Sequence, residues 1–112
     1  MDFKIEGNDL NELFHLVWVW SHNKGLLDKN NVPKQFMKCQ EELGEGCSAY
    51  LKGKESELED LLGDYCVTGI VLCHHLGKSP SDMLKIALNE IWNRKGKMVN
   101  GSFIKESDLS RK

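Results

Sequence analysis

The chain has 112 residues, 40% of them hydrophobic and 29% charged, with 15 basic against 17 acidic side chains and a formal net charge of −2. That length supports one domain with a modest core, and the near balance of charge excludes a global pull toward nucleic acid or an acidic membrane surface. The charge is unevenly spread: acids crowd the middle (Glu41, Glu42, Glu45, then Glu55 to Asp64), and bases gather late (Arg94, Lys95, Lys97, Lys105, Arg111, Lys112). An acidic centre suits a cation and a basic segment suits an anion.

No apolar run reaches the ~18 residues of a membrane span and no basic-then-apolar leader opens the sequence, so no membrane partner and a cytoplasmic location are expected. Cys39, Cys47, Cys66 and Cys73 contain no C-x-x-C pair. They read as free, reduced thiols that act as small core residues.

In chain order, a first helix is predicted from about Asp9 to His22. Its second half is apolar nearly all round, through Leu16, Val17, Trp18, Val19 and Trp20, which implies burial on more than one side and so a partner subunit. Asn23 to Val32 is a polar connector. Pro33 suits the first turn of a second helix running to about Lys52, with Phe36, Leu43, Cys47, Tyr50 and Leu51 as its apolar stripe. Gly53 marks the break. A third helix covers Glu55 to Leu76, with Leu58, Leu62, Tyr65, Gly69, Leu72 and Leu76 inward and Gly77 as its stop. Ser79-Pro80-Ser81-Asp82 starts a fourth helix, which runs to about Lys95 with Met83, Ile86, Ala87, Ile91 and Trp92 on its apolar side. In the tail, Asn100-Gly101 lies between Met98-Val99 and Phe103-Ile104, a tight-turn signal for a short hairpin. The predicted class is all-α, a single domain over residues 1–112 with a helical core at about 9–95 and a tail at 96–112.

Lys38, Glu41, Glu42 and Glu45 project within one broad arc of the second helix, opposite its apolar stripe, at about 100° per residue. Glu57, Asp60 and Asp64 share a narrow arc of the third. Antiparallel packing of the two helices would set these arcs face to face, where like charges repel unless a cation lies between them. Oxygen-only donors select a hard ion, Mg²⁺ or Mn²⁺. The plainer alternative is two solvated acidic faces. His74 and His75 beside Cys73 do not make a zinc site, because consecutive helical residues point about 100° apart.

Glu41-Glu42-Leu43-Gly44-Glu45 matches the E-E-x-x-E motif of the MazG-like nucleotide pyrophosphohydrolases, and Leu58 to Asp64 aligns with their second acidic motif, E-x-x-D. Lys24-Gly25-Leu26-Leu27, Pro33, Gln35 and Lys38 resemble the lead-in to the first motif. Leu76-Gly77 and Asn89 to Lys95 resemble the closing helix. The likeness spans about residues 16 to 95. In this alignment the E-x-x-D glutamate falls at position 61, which is Leu61, so Asp60 or Glu57 is expected to supply the missing ligand.

The resemblance implies a four-helix protein, dimeric or a dimer of dimers. Its implied activity is hydrolysis of a nucleoside triphosphate between the α and β phosphorus atoms, to monophosphate and pyrophosphate, in clearing the nucleotide pool. Glu42, Glu45, Asp64 and Asp60 are the implied metal ligands. Glu41 is the candidate base or water-orienting carboxylate, and Glu41 and Glu42 can exchange roles. Lys38 either reaches a phosphate or pairs with Glu41 or Glu42. Arg94 and Lys97, with Lys95, either bind the triphosphate or form a solvated helix end. Asn89 and Asn93 are candidates for phosphate or sugar. Trp18 and Trp20 project to different sides, so at most one stacks on a base, and Trp20 is the candidate. The rival to the enzyme is a catalytically weak nucleotide-binding or regulatory protein, motivated by Leu61.

Overall fold

The structure is a computed structural model that describes residues 4–109; Arg111 and Lys112 of the basic end lie outside them. It is mostly helical. Helix α1 spans Leu10–Asn23, α2 Val32–Leu51, α3 Glu55–His75 and α4 Pro80–Ile91, followed by strands β1 (Gly96–Val99) and β2 (Ser102–Lys105) and a four-residue α5 (Glu106–Leu109). Among the described residues no helix is long and apolar enough to cross a membrane. These residues fall into two compact units, divided between Pro80 and Ser81.

In the first unit, Asp9 caps α1 by accepting from the Glu12 amide at 2.9 Å, which satisfies a donor the first turn leaves free. The connector contains a 3₁₀ turn at Lys29–Asn31, capped by Asp28. At the end of α2, Gly53 takes φ +68, a conformation costly for residues with a Cβ. Its amide donates to Tyr50 O at 3.1 Å and the Lys54 amide donates to Ala49 O at 3.0 Å, satisfying the terminal carbonyls as the chain reverses. The turn back into α3 therefore takes only three residues. Helices α2 and α3 run antiparallel: Gln35 Nε2 donates to Thr68 O at 2.9 Å, and further along Gly46 lies against Leu61, where an added Cβ would sit 4.0 Å from the leucine Cβ.

The direction of burial corrects two expected stripes. On α2 the buried residues are Glu42 and Ala49, while Phe36, Leu43, Tyr50 (71% exposed) and Leu51 (77%) face outward. On α3 they are Thr68, Val71 and His75, while Leu62, Tyr65 and Leu76 are exposed. The helices meet through Gln35 and Gly46 of α2 and Thr68 and Leu61 of α3, while Leu58, Gly69 and Leu72 of the expected α3 stripe are half-buried. Cys39, Cys47, Cys66 and Cys73 are free. Cys39 and Cys73 are half-buried, but Cys47 and Cys66 are exposed rather than core. Burial pushes the Cys73 thiol up, which keeps it protonated and unreactive.

In the second unit α4 ends at Ile91, four residues before the expected Lys95. The Arg94 amide closes a turn on Ile91 O at 3.0 Å, and Lys95 O accepts from the Glu106 amide at 2.8 Å, so the backbone here is committed to the base of the hairpin. Strands β1 and β2 pair antiparallel with Met98 opposite Phe103 and Gly96 opposite Lys105. Asn100 (φ 51) and Gly101 (φ 83) both occupy left-handed backbone, as a two-residue type I′ hairpin turn requires. A Cβ at Gly96 would collide with the Ile104 carbonyl and lie 2.6 Å from Phe103 Cζ.

Candidate functional site

The C-terminal half of α2 and the first turns of α3 enclose a cleft of about 420 Å³. Three carboxylates line it: Glu45 from α2, and Glu57 and Asp60 from α3. They share the wall with Ser48, Lys52 and Lys54 as further polar groups, and with Ala49 and Leu61 as apolar ones. The helix period accounts for the set. Glu45 and Ser48 lie three residues apart on α2, and Lys52, its C-cap, follows four residues later. Glu57 with Asp60 and Leu61 share the same spacing on α3. The three-residue link keeps both arcs at the same end of the hairpin. Lys54 Nζ lies 3.8 Å from Glu57 Oε1, so one cation already borders the acidic wall.

Glu42, one turn before Glu45, is only 6% exposed. Its Oε1 pairs with Lys38 Nζ at 3.1 Å, while Glu41 Oε2 lies 3.8 Å from the same nitrogen. The hydrogen bond and charge of Glu42 hold the Lys38 ammonium above its ordinary range. Glu42 Oε2 is buried with no hydrogen-bond partner. A buried carboxylate with one oxygen unsatisfied is costly in the absence of another partner.

The residues singled out from sequence are thus placed as follows. Glu45 and Asp60 share the cleft, and Glu42 is buried on α2. Glu41 is exposed beside Lys38, and Asp64 is exposed on α3, one turn past Asp60 and outside the cleft lining. Lys38 forms the ion pair rather than standing free. Trp18 carries His15 stacked on it at 6.0 Å between ring centroids and His22 at 5.0 Å. These imidazoles come from opposite directions along α1. Trp20 is about half exposed. In the second unit, Asn89, Asn93 and Lys97 are exposed, and Arg94 lies 3.4 Å from Glu90. Among the described residues no group of three or more His, Cys, Asp or Glu side chains is gathered closely enough to hold a metal ion.

Three polar lining residues, Ser48, Lys52 and Lys54, were not among the expected site residues, whereas Glu57 was expected in the acidic arc of the third helix and as a substitute at the Leu61 position. Glu57-Leu58-Glu59-Asp60 itself has the spacing E-x-x-D. Both ends of that tetrad line the cleft, whereas Asp64 does not.

No protein-family model and no solved structure matches the chain. A curated relative, the uncharacterized 18.2 kDa protein in the rep-hol intergenic region of Haemophilus phage HP1 (strain HP1c1), is 34% identical over 64 residues. That alignment covers 57% of this chain and 39% of the relative.

Proposed function

We propose that this chain is a divalent-metal-dependent nucleoside triphosphate pyrophosphohydrolase, acting as the MazG-like enzymes it resembles do. It converts a ribo- or deoxynucleoside triphosphate to the monophosphate and pyrophosphate, in cytoplasmic house-cleaning of the nucleotide pool. The observation that carries this reading is the unsatisfied Glu42 Oε2, one helical turn from a cleft lined by Glu45, Glu57 and Asp60.

Every acid here offers oxygen, the donor a hard cation takes, and one buried carboxylate oxygen lacks a partner. The side chains would have to draw together on the ion, since in this arrangement they are not gathered closely enough to hold it. Glu42, Glu45 and Asp60, with Glu57 in the place Leu61 leaves vacant, would hold Mg²⁺ or Mn²⁺, and Asp64 would serve from the next turn. A metal bound there supplies charge neutralisation of the phosphates and a lowered pKa for the attacking water. The chain's own residues do the rest. Lys52 and Lys54 on the cleft wall attract phosphate oxygens, and Ser48 offers a hydroxyl donor. Glu41, exposed and outside the buried set, is the carboxylate free to orient water or take its proton. Trp18 is occupied by two imidazoles, which leaves Trp20 as the aromatic wall for a base. Asn89, Asn93, Arg94 and Lys97 stand as candidate substrate contacts on their polarity and charge alone.

We further propose a homodimer or dimer of dimers. The outward apolar stripe of α2, from Phe36 to Leu51, is the kind of surface that associates in water. One observation favours the weaker, nucleotide-binding reading: Leu61, apolar, stands on the cleft wall at the aligned motif position. Incubation with a panel of nucleoside triphosphates and Mg²⁺ separates the two. Monophosphate and pyrophosphate, abolished by chelator, establish the enzyme; survival of every nucleotide with both Mg²⁺ and Mn²⁺ rejects it.

A further inference from the structure

The far end of α3 holds an ionisable group that the proposed chemistry does not use. Thr68, Val71 and His75 form the buried side of α3, spaced three and four apart. His75 is only 4% exposed. Both its ring nitrogens are buried without a hydrogen-bond partner. An imidazole thus stands where an apolar side chain would complete the stripe.

The next residue back ties this turn to α1, with His74 Nε2 3.2 Å from Phe14 O. Since a carbonyl only accepts, His74 donates from Nε2. It can do so both neutral and protonated. His75 behaves differently, because protonation would place a charge among buried groups with nothing to receive either N–H. Burial, with His74 beside it, holds this imidazole below its ordinary range. The helix C-terminus favours a cation, so at this position burial outweighs the dipole. On the packed helices, Asp9 at the α1 N-cap and Glu12, His15 and His22 of α1 are exposed, as are Lys34, Lys38, Glu41 and Glu45 of α2. Cys39 is half-buried, and the buried carboxylate of Glu42 pairs with Lys38. Among the described residues no carboxylate hydrogen-bonds the ring.

We propose that the junction of α1 with the last turn of α3 is a proton-gated joint, in which protonation of His75 expels its ring from the buried stripe and parts α1 from α3. The sign follows from linkage. The opened joint binds the proton more readily than the closed one, so closure is complete above the ordinary histidine range, near pH 6.5. It weakens as pH falls toward the lower pKa of the closed form, by up to about tenfold per pH unit.

Hydrogen exchange on the full chain tests this, with rates corrected for the intrinsic effect of pH. Between pH 7.5 and 5.5, α1 amides are expected to lose protection, by at most about tenfold, while α2 amides around Ala49 keep theirs. His75→Leu should abolish the loss and His74→Gln should retain it. His75→Gln, also uncharged throughout, serves where the leucine variant does not fold. An unchanged loss in both His75 variants, no loss in the wild type, or an equal loss in α2 would each overturn the joint.

Discussion

Glu42 on α2 and His75 in the last turn of α3 are both buried ionisable groups, yet their surroundings treat them oppositely. At the cleft end, Glu42 has a cation on one oxygen and nothing on the other. At the far end, His75 has no partner on either nitrogen. A buried group with half its partners supplied is preorganised for a ligand of opposite charge, whereas one with none is stable only while neutral. The first arrangement suits binding and the second suits release. Together they show that position on the helix hairpin buries ionisable side chains alongside apolar ones such as Ala49 and Val71.

The largest effect that would break this comparison is catalytic. Asp60→Asn should lower Mg²⁺-dependent pyrophosphate release by about 100-fold or more, the scale for a lost metal contact. Unchanged turnover would remove Asp60 from the site and return the cleft to a solvated acidic face. Next, Lys38→Met leaves Glu42 without its one partner and should destabilise the protein by about 2 kcal/mol, measured by urea unfolding. Mg²⁺ should then stabilise the variant more than the wild type; an equal increment in both would show that Glu42 does not meet the ion. Because the pair raises the Lys38 pKa, its contribution holds at neutral pH and is lost as pH rises beyond the ordinary lysine range.

A smaller effect belongs to the link that sets both ends. Gly53→Ala forces a Cβ into left-handed backbone and should cost about 1 kcal/mol, visible as a lower Tm with the helical circular dichroism retained. Smallest is Arg94→Gln. The pair with Glu90 is an i,i+4 contact between a half-buried arginine and an exposed glutamate and should change stability by under about 0.5 kcal/mol. A rise in KM without a stability change would instead assign Arg94 to the substrate.

Most helix ends were legible because they depend on local chemistry. Asp9 caps, Pro33 and Pro80 open helices, Gly53 and Gly77 close them, and Asn100-Gly101 forces the hairpin turn. The direction of burial was not legible. Periodicity marks Phe36, Leu43 and Tyr50 as one face of α2, but it says nothing of whether the partner for that face lies within the same chain. The cleft was half legible for a related reason. Glu45 and Asp60 stand out by charge, while Lys52 and Lys54 belong to a link whose geometry appears only once Gly53 has turned the chain. The end of α4 was misjudged because Asn93 to Lys95 are compatible with a helix, and only the pairing of β1 with β2 withdraws them from it.

The brevity of the Lys52–Lys54 link has a kinetic consequence. Every residue lining the cleft falls between Glu45 and Leu61, so the site is closed by contacts of short sequence separation. Such a helical hairpin pays little loop entropy on closing and can assemble early in folding. The cleft is therefore expected to be among the first tertiary features to form.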